Sequence, residues 1–259
     1  MVWLACVASV IRLRLISLVE GLIVFRLESC KCFYKLKKLL RFIHVGKCGG
    51  STIWNSLNTS VIISPYKSIE EVHVNGANIR TNCDYLICLR NPIDRALSAF
   101  EWRKKLVLID AHPDQVDRFF GEKNVLASYK TFDNLACSLY EKDDRLCQRV
   151  ARDFRLVHHL RESISFYIRP LLPVLSSGNV LGIVCQESLA EDCQKILGVD
   201  ATTVKERKNN AKQQSFSDLS DQAIRNLKRF LADDYQCIVD LWSLGLLDDK
   251  QLAGLMFKD

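Results

Sequence analysis

The segment from Phe42 to Ile53, FIHVGKCGGSTI, constrains the fold of this chain more than any other. A short apolar run leads into a glycine-rich loop with one lysine, and small hydroxyl residues then begin a predicted helix. A strand that turns through glycines into a helix N-terminus is suited to phosphate, because backbone N–H groups approach the anion closely and the helix adds its positive dipole end. Lys47 supplies a mobile positive charge, and Ser51 and Thr52 supply hydroxyl donors.

The order of residues in this loop differs from that of a Walker phosphate loop. There the lysine follows the last glycine, whereas here Lys47 precedes Gly49 and Gly50. The usual ATPase or GTPase chemistry is therefore not the first expectation. Because paired glycines after a strand also occur in plain turns, the loop indicates a site only together with a second motif.

The second motif is the segment of residues 84–104, DYLICLRNPIDRALSAFEWRK. Its continuous apolar start, residues 85–89, predicts a buried strand that ends at Arg90, and Pro92 suits the first turn of a following helix. Ser98 lies roughly two turns into that helix, so the guanidinium of Arg90 and this hydroxyl are placed to share one anion. Taken singly, each side chain is better explained without a ligand, Arg90 as a surface charge and Ser98 as a solvated helix position.

Together and in this order, the two motifs resemble the donor-binding pair of the sulfotransferase family, which uses 3′-phosphoadenosine 5′-phosphosulfate (PAPS). The resemblance is closest to the carbohydrate-type, membrane-associated branch and covers roughly residues 41–247. It implies an α/β fold, namely a three-layer, P-loop-NTPase-like domain with a central, mostly parallel sheet flanked by helices. By resemblance, the PAPS-binding residues are Lys47, Cys48, Gly49, Gly50, Ser51 and Thr52 for the phosphosulfate, and Arg90 and Ser98 for the 3′-phosphate. Cys48 stands where this branch often has threonine.

Later segments are compatible with such a fold. Residues 179–185, NVLGIVC, predict another buried strand, and a helix is expected over about residues 188–197. Residues 219–247 predict the C-terminal helices. The basic run 204–212, VKERKNNAK, lies where related enzymes often close a loop over the nucleotide, so Lys205, Arg207 or Lys208 is a further candidate for phosphate binding. A solvated basic loop explains this run equally well.

Sulfuryl transfer requires a cation near the leaving phosphate and a base for the acceptor proton. Lys47 is the predicted cation. His73 is the first choice of base, since carbohydrate 2-O-sulfotransferases resemble this chain in having a histidine ahead of the arginine motif. Glu70 and Glu71 remain alternatives, as does His159, which a predicted helix would point into the cleft. No metal ion is expected, because this chemistry does not require one and the sequence has neither an HExxH motif nor paired CxxC motifs.

Positive charge is concentrated at the N-terminus. Residues 1–47 carry nine Lys or Arg and two Glu, while the whole chain has a net charge of +6. Nucleic-acid binding by the main domain is therefore not expected, and an anionic membrane surface fits the N-terminus better. We expect a basic, apolar extension over residues 1–40, with a possible membrane-associated helix, and a sulfotransferase domain over residues 41–259.

The extension allows more than one interpretation. Val2 to Phe25 is long enough to span a membrane, but Arg12, Arg14 and Glu20 oppose the apolar gain. A spanning helix, an interfacial helix and an ordinary packing helix all remain open. The basic run from Lys31 to Arg41 and the odd number of cysteines favour a membrane-associated or cytoplasmic protein with its catalytic domain on the cytoplasmic side.

The resemblance thus implies a PAPS-dependent sulfotransferase that modifies a hydroxyl or amine of a carbohydrate or glycolipid acceptor. Two other classes of function remain open. One is an ATP-dependent phosphotransferase on the same scaffold. The other is a non-catalytic nucleotide-binding or membrane-peripheral protein that lacks a working base.

Overall fold

A computed structural model describes residues 38–57, 60–200 and 215–257. Within these ranges, four strands form one sheet in the order β2-β1-β3-β4, and every pair is parallel. The strands are β1 (Leu39–His44), β2 (Ser68–Val72), β3 (Cys83–Leu89) and β4 (Val180–Cys185). The three strands expected from the apolar runs are confirmed, and β2 lies directly before His73.

The two inner strands are apolar because both faces of a parallel sheet are covered. In β3, every residue from Tyr85 to Leu89 is buried, and Leu40, Phe42 and Ile43 of β1 are buried as well. The edge strand β2 is more polar and exposes Ser68. The structure therefore confirms an α/β fold with a central parallel sheet flanked by helices.

Most helices lie between β3 and β4 or after β4. Only α1 (Gly50–Leu57) among the described α-helices lies between β1 and β2. The others are α2 (Pro92–Lys104), α3 (Pro113–Val116), α4 (Glu122–Ser128), α5 (Phe132–Cys137), α6 (Gln148–Leu156), α7 (Ile164–Ile168), α8 (Leu189–Asp192), α9 (Asp221–Phe230), α10 (Ala232–Ser243) and α11 (Asp249–Met256). One wide turn extends α2 over Lys105–Ile109, and another extends α8 over Cys193–Leu197. The helix predicted near residues 188–197 is thus present, although its second half has π-helical geometry.

The apolar core has two parts. One part surrounds the sheet, and the other is formed by helices that pack around α2, including α5, α6 and α9. A buried ion pair joins α2 to α4 in the second part, since Arg103 donates to both carboxylate oxygens of Glu122 at 2.9 and 2.6 Å. Asn91 begins α2 by accepting hydrogen bonds from the N–H groups of Ile93 and Asp94.

Several sequence predictions fall outside the described residues. They concern residues 1–37 of the extension, including Val2 to Phe25, and the basic run that contains Lys208. The compact main unit begins at Lys38 and β1 begins at Leu39, so the last residues of the predicted extension belong to the sheet. Over the ranges that the structure describes, no helix has the length and apolarity needed to cross a membrane.

The strand order creates a crevice at one edge of the sheet. From β1 the chain continues through α1 to β2 on one side, whereas from β3 it continues through the helical region to β4 on the other side. Where the connections from two neighbouring parallel strands run to opposite sides, a crevice opens at the carboxyl ends of those strands. Open α/β sheets bind their ligands in this crevice. The loop after His44 and the side chain of Arg90 both lie at this point.

Candidate functional site

The loop after β1 presents a row of backbone N–H groups without internal partners. Helix α1 begins when the N–H groups of Thr52 and Ile53 bond to the carbonyl of Gly49. Among the described residues, the N–H groups from Lys47 to Ser51 donate no hydrogen bond. Lys47 and Gly49 both have left-handed backbone conformations, with φ values of 71° and 76°. Successive free N–H groups in such a turn form a concave site for an anion.

Lys47 supplies positive charge at this turn. Its ammonium lies 4.6 Å from the centre of the Trp102 ring, a distance typical of a cation–π contact. Burial and, to a smaller extent, the neighbouring positive charge of Arg90 together lower the pKa of Lys47 to about 8. The side chain of Lys47 is therefore mostly charged at neutral pH, but it loses its proton at a lower pH than an ordinary lysine does.

Arg90 joins the end of β3 to the same loop, since its Nη1 donates to the carbonyl of Lys47 at 3.3 Å. Ser98 lies about 9 Å along α2 from the start of that helix. It is one turn from Trp102, so the two side chains share the helix face that contacts Lys47. The Ser98 side chain forms no hydrogen bond within the described ranges. Arg90 and Ser98 thus border the crevice from the β3–α2 side.

The end of β4 contributes a carboxylate that the sequence analysis did not select. Glu187 accepts a hydrogen bond from the Asn91 N–H at 2.8 Å, and burial raises the pKa of this carboxyl above its usual value. The nearby Arg90 acts in the opposite direction. Since Glu187 and Arg90 follow neighbouring parallel strands, the rule that strand ends converge was the signal that could have found this residue.

Each glycine of the loop is packed against a side chain. A Cβ atom on Gly46 would lie 2.5 Å from Nδ1 of His159, and one on Gly49 would lie 2.3 Å from the side-chain oxygen of Gln186. On Gly50, a Cβ would come within 1.9 Å of the His44 ring. The sequence analysis explained the glycines by access of an anion to the backbone. The structure adds that the loop is held against the strand ends by close packing.

The remaining predicted loop residues differ in what they expose. Cys48 is fully buried, its thiol donates to the Gly46 carbonyl at 3.8 Å, and burial raises the pKa of that thiol to about 12. Only the backbone N–H of Cys48 is therefore available to an anion. Ser51 is exposed at the start of α1, and Thr52 is half-buried beside it.

Four of the five histidines form a connected group beside the loop. The rings of His44 and His73 stack with centres 4.0 Å apart, His73 lies 5.5 Å from His159, and His158 follows at 4.0 Å. Sequence analysis expected a helix to carry His159. Instead, this residue lies in the turn between α6 and α7 with a positive φ of 67°.

His73 has the geometry of a general base. It is half-buried, and its Nδ1 lies 2.9 Å from the backbone carbonyl of His44. Because a carbonyl oxygen only accepts, Nδ1 must carry the proton, which leaves the lone pair of Nε2 to accept another.

The three alternative bases are less well placed. Glu70 pairs with Arg41 at 3.1 Å and with Arg80 at 3.4 Å, and Glu71 lies 2.6 Å from Nδ1 of His44. Burial, reinforced by the neighbouring histidines and Lys47, lowers the pKa of His159 to about 2. Its imidazole is therefore a weak base, so the geometry favours His73.

A second cluster beneath the loop resembles a metal site in composition only. Donor atoms of His158, His159 and Glu162 lie within 4.8 Å of one another. However, Glu162 already pairs with Arg161 at 2.7 Å, and the fully buried Arg95 donates to the carbonyls of His159 and Glu162. These guanidinium groups oppose a metal cation, and Arg95 instead adds positive potential beneath the loop.

Comparisons with models of protein families, with curated proteins and with solved structures each found no match to this chain. Functional inference therefore depends on the geometry of the site and on the resemblance of its two motifs.

Proposed function

We propose that the protein is a PAPS-dependent sulfotransferase with a three-layer, P-loop-NTPase-like fold. The observation that carries this proposal is the row of free N–H groups from Lys47 to Ser51 at the crevice between β1 and β3. Lys47 and Arg90 add two positive charges to that row. Such a set of donors suits the oxygens of a phosphate or phosphosulfate group.

The choice of a sulfuryl donor depends on the order of the residues. Lys47 precedes Gly49 and Gly50, and the strand next to the loop is followed by Arg90, where a carboxylate would be expected to hold Mg²⁺ in an ATP site. In the resembling family, an arginine and a serine at this spacing bind the 3′-phosphate. Arg90 and Ser98 border one crevice here, which supports the same role.

The proposed reaction is an in-line displacement at sulfur. The acceptor hydroxyl oxygen forms the new S–O bond while its proton passes to Nε2 of His73. The bond between sulfur and the bridging phosphate oxygen breaks, and the electron pair remains on that oxygen. Lys47 and the free N–H groups stabilise the negative charge that develops there. The products are a sulfated acceptor and 3′,5′-adenosine bisphosphate.

The acceptor and the cellular location are the less specific parts of the proposal. A carbohydrate or glycolipid acceptor rests on the resemblance to one branch of the family. A membrane-associated or cytoplasmic location, with the catalytic domain on the cytoplasmic side, is supported by the basic run before β1. The free thiols of the described cysteines also fit a reducing compartment.

Calorimetric titration tests the donor site directly. We expect 3′,5′-adenosine bisphosphate to bind more tightly than 5′-AMP or ATP–Mg²⁺, and Lys47→Ala and Arg90→Ala each to weaken it by about 10- to 100-fold, as for lost charge-assisted hydrogen bonds. Arg149→Ala is the matched control, because Arg149 is exposed and forms an ion pair with Asp153. A preference for ATP–Mg²⁺ would instead favour a phosphotransferase.

Turnover tests the proposed base. His73→Gln should retain affinity for the bisphosphate and reduce sulfuryl transfer from PAPS to an acceptor panel by about 10²- to 10⁴-fold, because the proton then has no acceptor. Full activity of this variant would exclude His73 as the base. Tight bisphosphate binding by the native protein without transfer to any acceptor would favour a non-catalytic nucleotide-binding protein.

A further inference from the structure

His44 is more than a packing residue at the end of β1. It is only 8% exposed, and its ring lies directly against the first residue of α1. A Cβ atom on Gly50 would stand 1.9 Å from Cδ2 and 2.0 Å from Nε2 of that ring. The Nε2 edge of His44 therefore faces the helix start, where the free N–H groups of Gly50 and Ser51 lie.

The opposite edge of the ring is fixed by Glu71. Nδ1 of His44 lies 2.6 Å from Oε1 of Glu71, so the carboxylate holds a proton on Nδ1. The parallel register explains this pair, because Glu71 is the partner of Phe42, and His44 lies on the same face of the sheet two residues later. Nε2 has no hydrogen-bond partner among the described residues. It becomes a donor only when the ring gains a second proton.

The groups around His44 determine when that proton is gained. Burial lowers the pKa of His44, His73 stacked against it lowers it further, and Glu71 raises it. His159 lies beyond His73, and Cys88 faces His44 from β3 with a thiol that burial keeps neutral. In the free protein His44 is thus predominantly neutral at neutral pH. An anion bound at the loop adds negative charge next to Nε2 and favours the imidazolium.

We propose that the Glu71–His44 pair is a proton-dependent part of the anion site. When a phosphate or phosphosulfate group occupies the free N–H groups of the loop, Nε2 of His44 takes one proton from solvent and donates it in a hydrogen bond to the anion. Binding is then coupled to proton uptake and strengthens as pH falls below neutrality. The identity of the nucleotide rests on the proposed function, whereas the coupling requires only an anion at the loop.

Adenosine 5′-phosphosulfate is a suitable probe, because its phosphosulfate group does not titrate near neutral pH. We would measure its binding calorimetrically at about pH 7 in two buffers of different ionisation enthalpy, alongside 3′,5′-adenosine bisphosphate. The expected result is uptake of up to one proton per bound probe. In His44→Gln, uptake should disappear and affinity at about pH 6 should fall roughly tenfold, as for one lost hydrogen bond to a charged group.

Glu70→Gln is the matched control for Glu71→Gln. The two carboxylates are adjacent on β2, but Glu70 pairs with Arg41 and Arg80, away from His44. Glu71→Gln should reduce proton uptake, and Glu70→Gln should leave it unchanged. Because Glu71 is partly exposed on an edge strand, Glu71→Gln should fold. Comparison of Glu71→Gln with Glu70→Gln therefore tests the inference if His44→Gln does not fold.

The outcomes separate this inference from the proposed function. Unchanged proton uptake in both His44→Gln and Glu71→Gln would overturn the inference, as would binding of the probe without uptake. If the probe binds with proton uptake but the bisphosphate binds no more tightly than 5′-AMP, the inference is supported and the proposed sulfotransferase function is contradicted. Failure of both ligands to bind would overturn both proposals.

Discussion

Lys47 is held in an environment that makes its charge sensitive to pH. Its ammonium packs on Trp102, its backbone is left-handed, and its pKa is lowered to about 8 by burial and by Arg90. A lysine in this state is charged below that pKa and loses its charge as pH rises through it. Burial lowers the pKa of His44 as well, so in the proposed site His44 gains its proton on the acid side, whereas Lys47 loses its proton on the alkaline side.

Affinity for 3′,5′-adenosine bisphosphate should therefore fall in alkaline solution. At about pH 9, roughly one unit above the pKa of Lys47, only about a tenth of the protein carries the charged form, so the apparent Kd should rise about tenfold relative to pH 7. Lys47→Arg should remove this dependence, because arginine stays charged. Calorimetric titration between about pH 7 and pH 9 measures this dependence. If Lys47→Arg lost the same affinity at alkaline pH, the dependence would belong to a group other than Lys47.

At the level of elements, helix α2 connects the site to the helical core. Its first turn follows Arg90, its face with Ser98 and Trp102 borders the loop, and its far end is anchored by the buried Arg103–Glu122 pair. Glu122 also accepts a hydrogen bond from the N–H of His158 at 2.8 Å. One carboxylate thus fixes both α2 and the turn that carries the histidines.

Glu122→Gln should destabilise the fold without removing the anion site. It leaves the buried guanidinium of Arg103 without a balancing charge, and we expect the free energy of unfolding to fall by about 3–5 kcal/mol. Denaturation with urea measures this loss. Glu191→Gln, at the exposed ion pair with Lys250, is the control and should change stability by less than about 1 kcal/mol. Equal effects of the two variants would contradict a stabilising role for the buried pair.

At the level of the whole molecule, the proposed nucleotide site lies between the two parts of the core. The loop and Arg90 extend from strands of the sheet core, whereas Ser98 and Trp102 belong to a helix whose apolar face packs in the helical core. A ligand that contacts both sides would bind the folded state and not the unfolded chain, so it should stabilise the whole domain.

Saturating 3′,5′-adenosine bisphosphate should raise the melting temperature. At about 100 times its Kd, a ligand stabilises the native state by about 2.7 kcal/mol, which corresponds to roughly 5–10 °C for a domain of this size. Thermal denaturation monitored by calorimetry measures the shift. The shift should be much smaller with the same concentration of 5′-AMP, and Arg90→Ala should reduce it. Equal shifts with both nucleotides would show that the 3′-phosphate is not recognised.

The sequence alone determined the local features of the site. Apolar runs before the loop, before Arg90 and before Gln186 indicated buried strands, because parallel strands covered on both faces are apolar throughout. Glycines and Pro92 marked where two of these strands turn into helices. The loop and the position of Arg90 therefore followed from short-range patterns.

Only the tertiary structure decided which distant residues meet. The pairing of Glu71 with His44 depends on the register between β1 and β2, and the contact of Lys47 with Trp102 depends on how α2 packs beside the loop. His159 reaches the loop from a turn far along the chain. Short-range periodicity specifies strands and helices, but strand order, register and helix packing arise from burial of the whole core, so these contacts could not be predicted from the sequence.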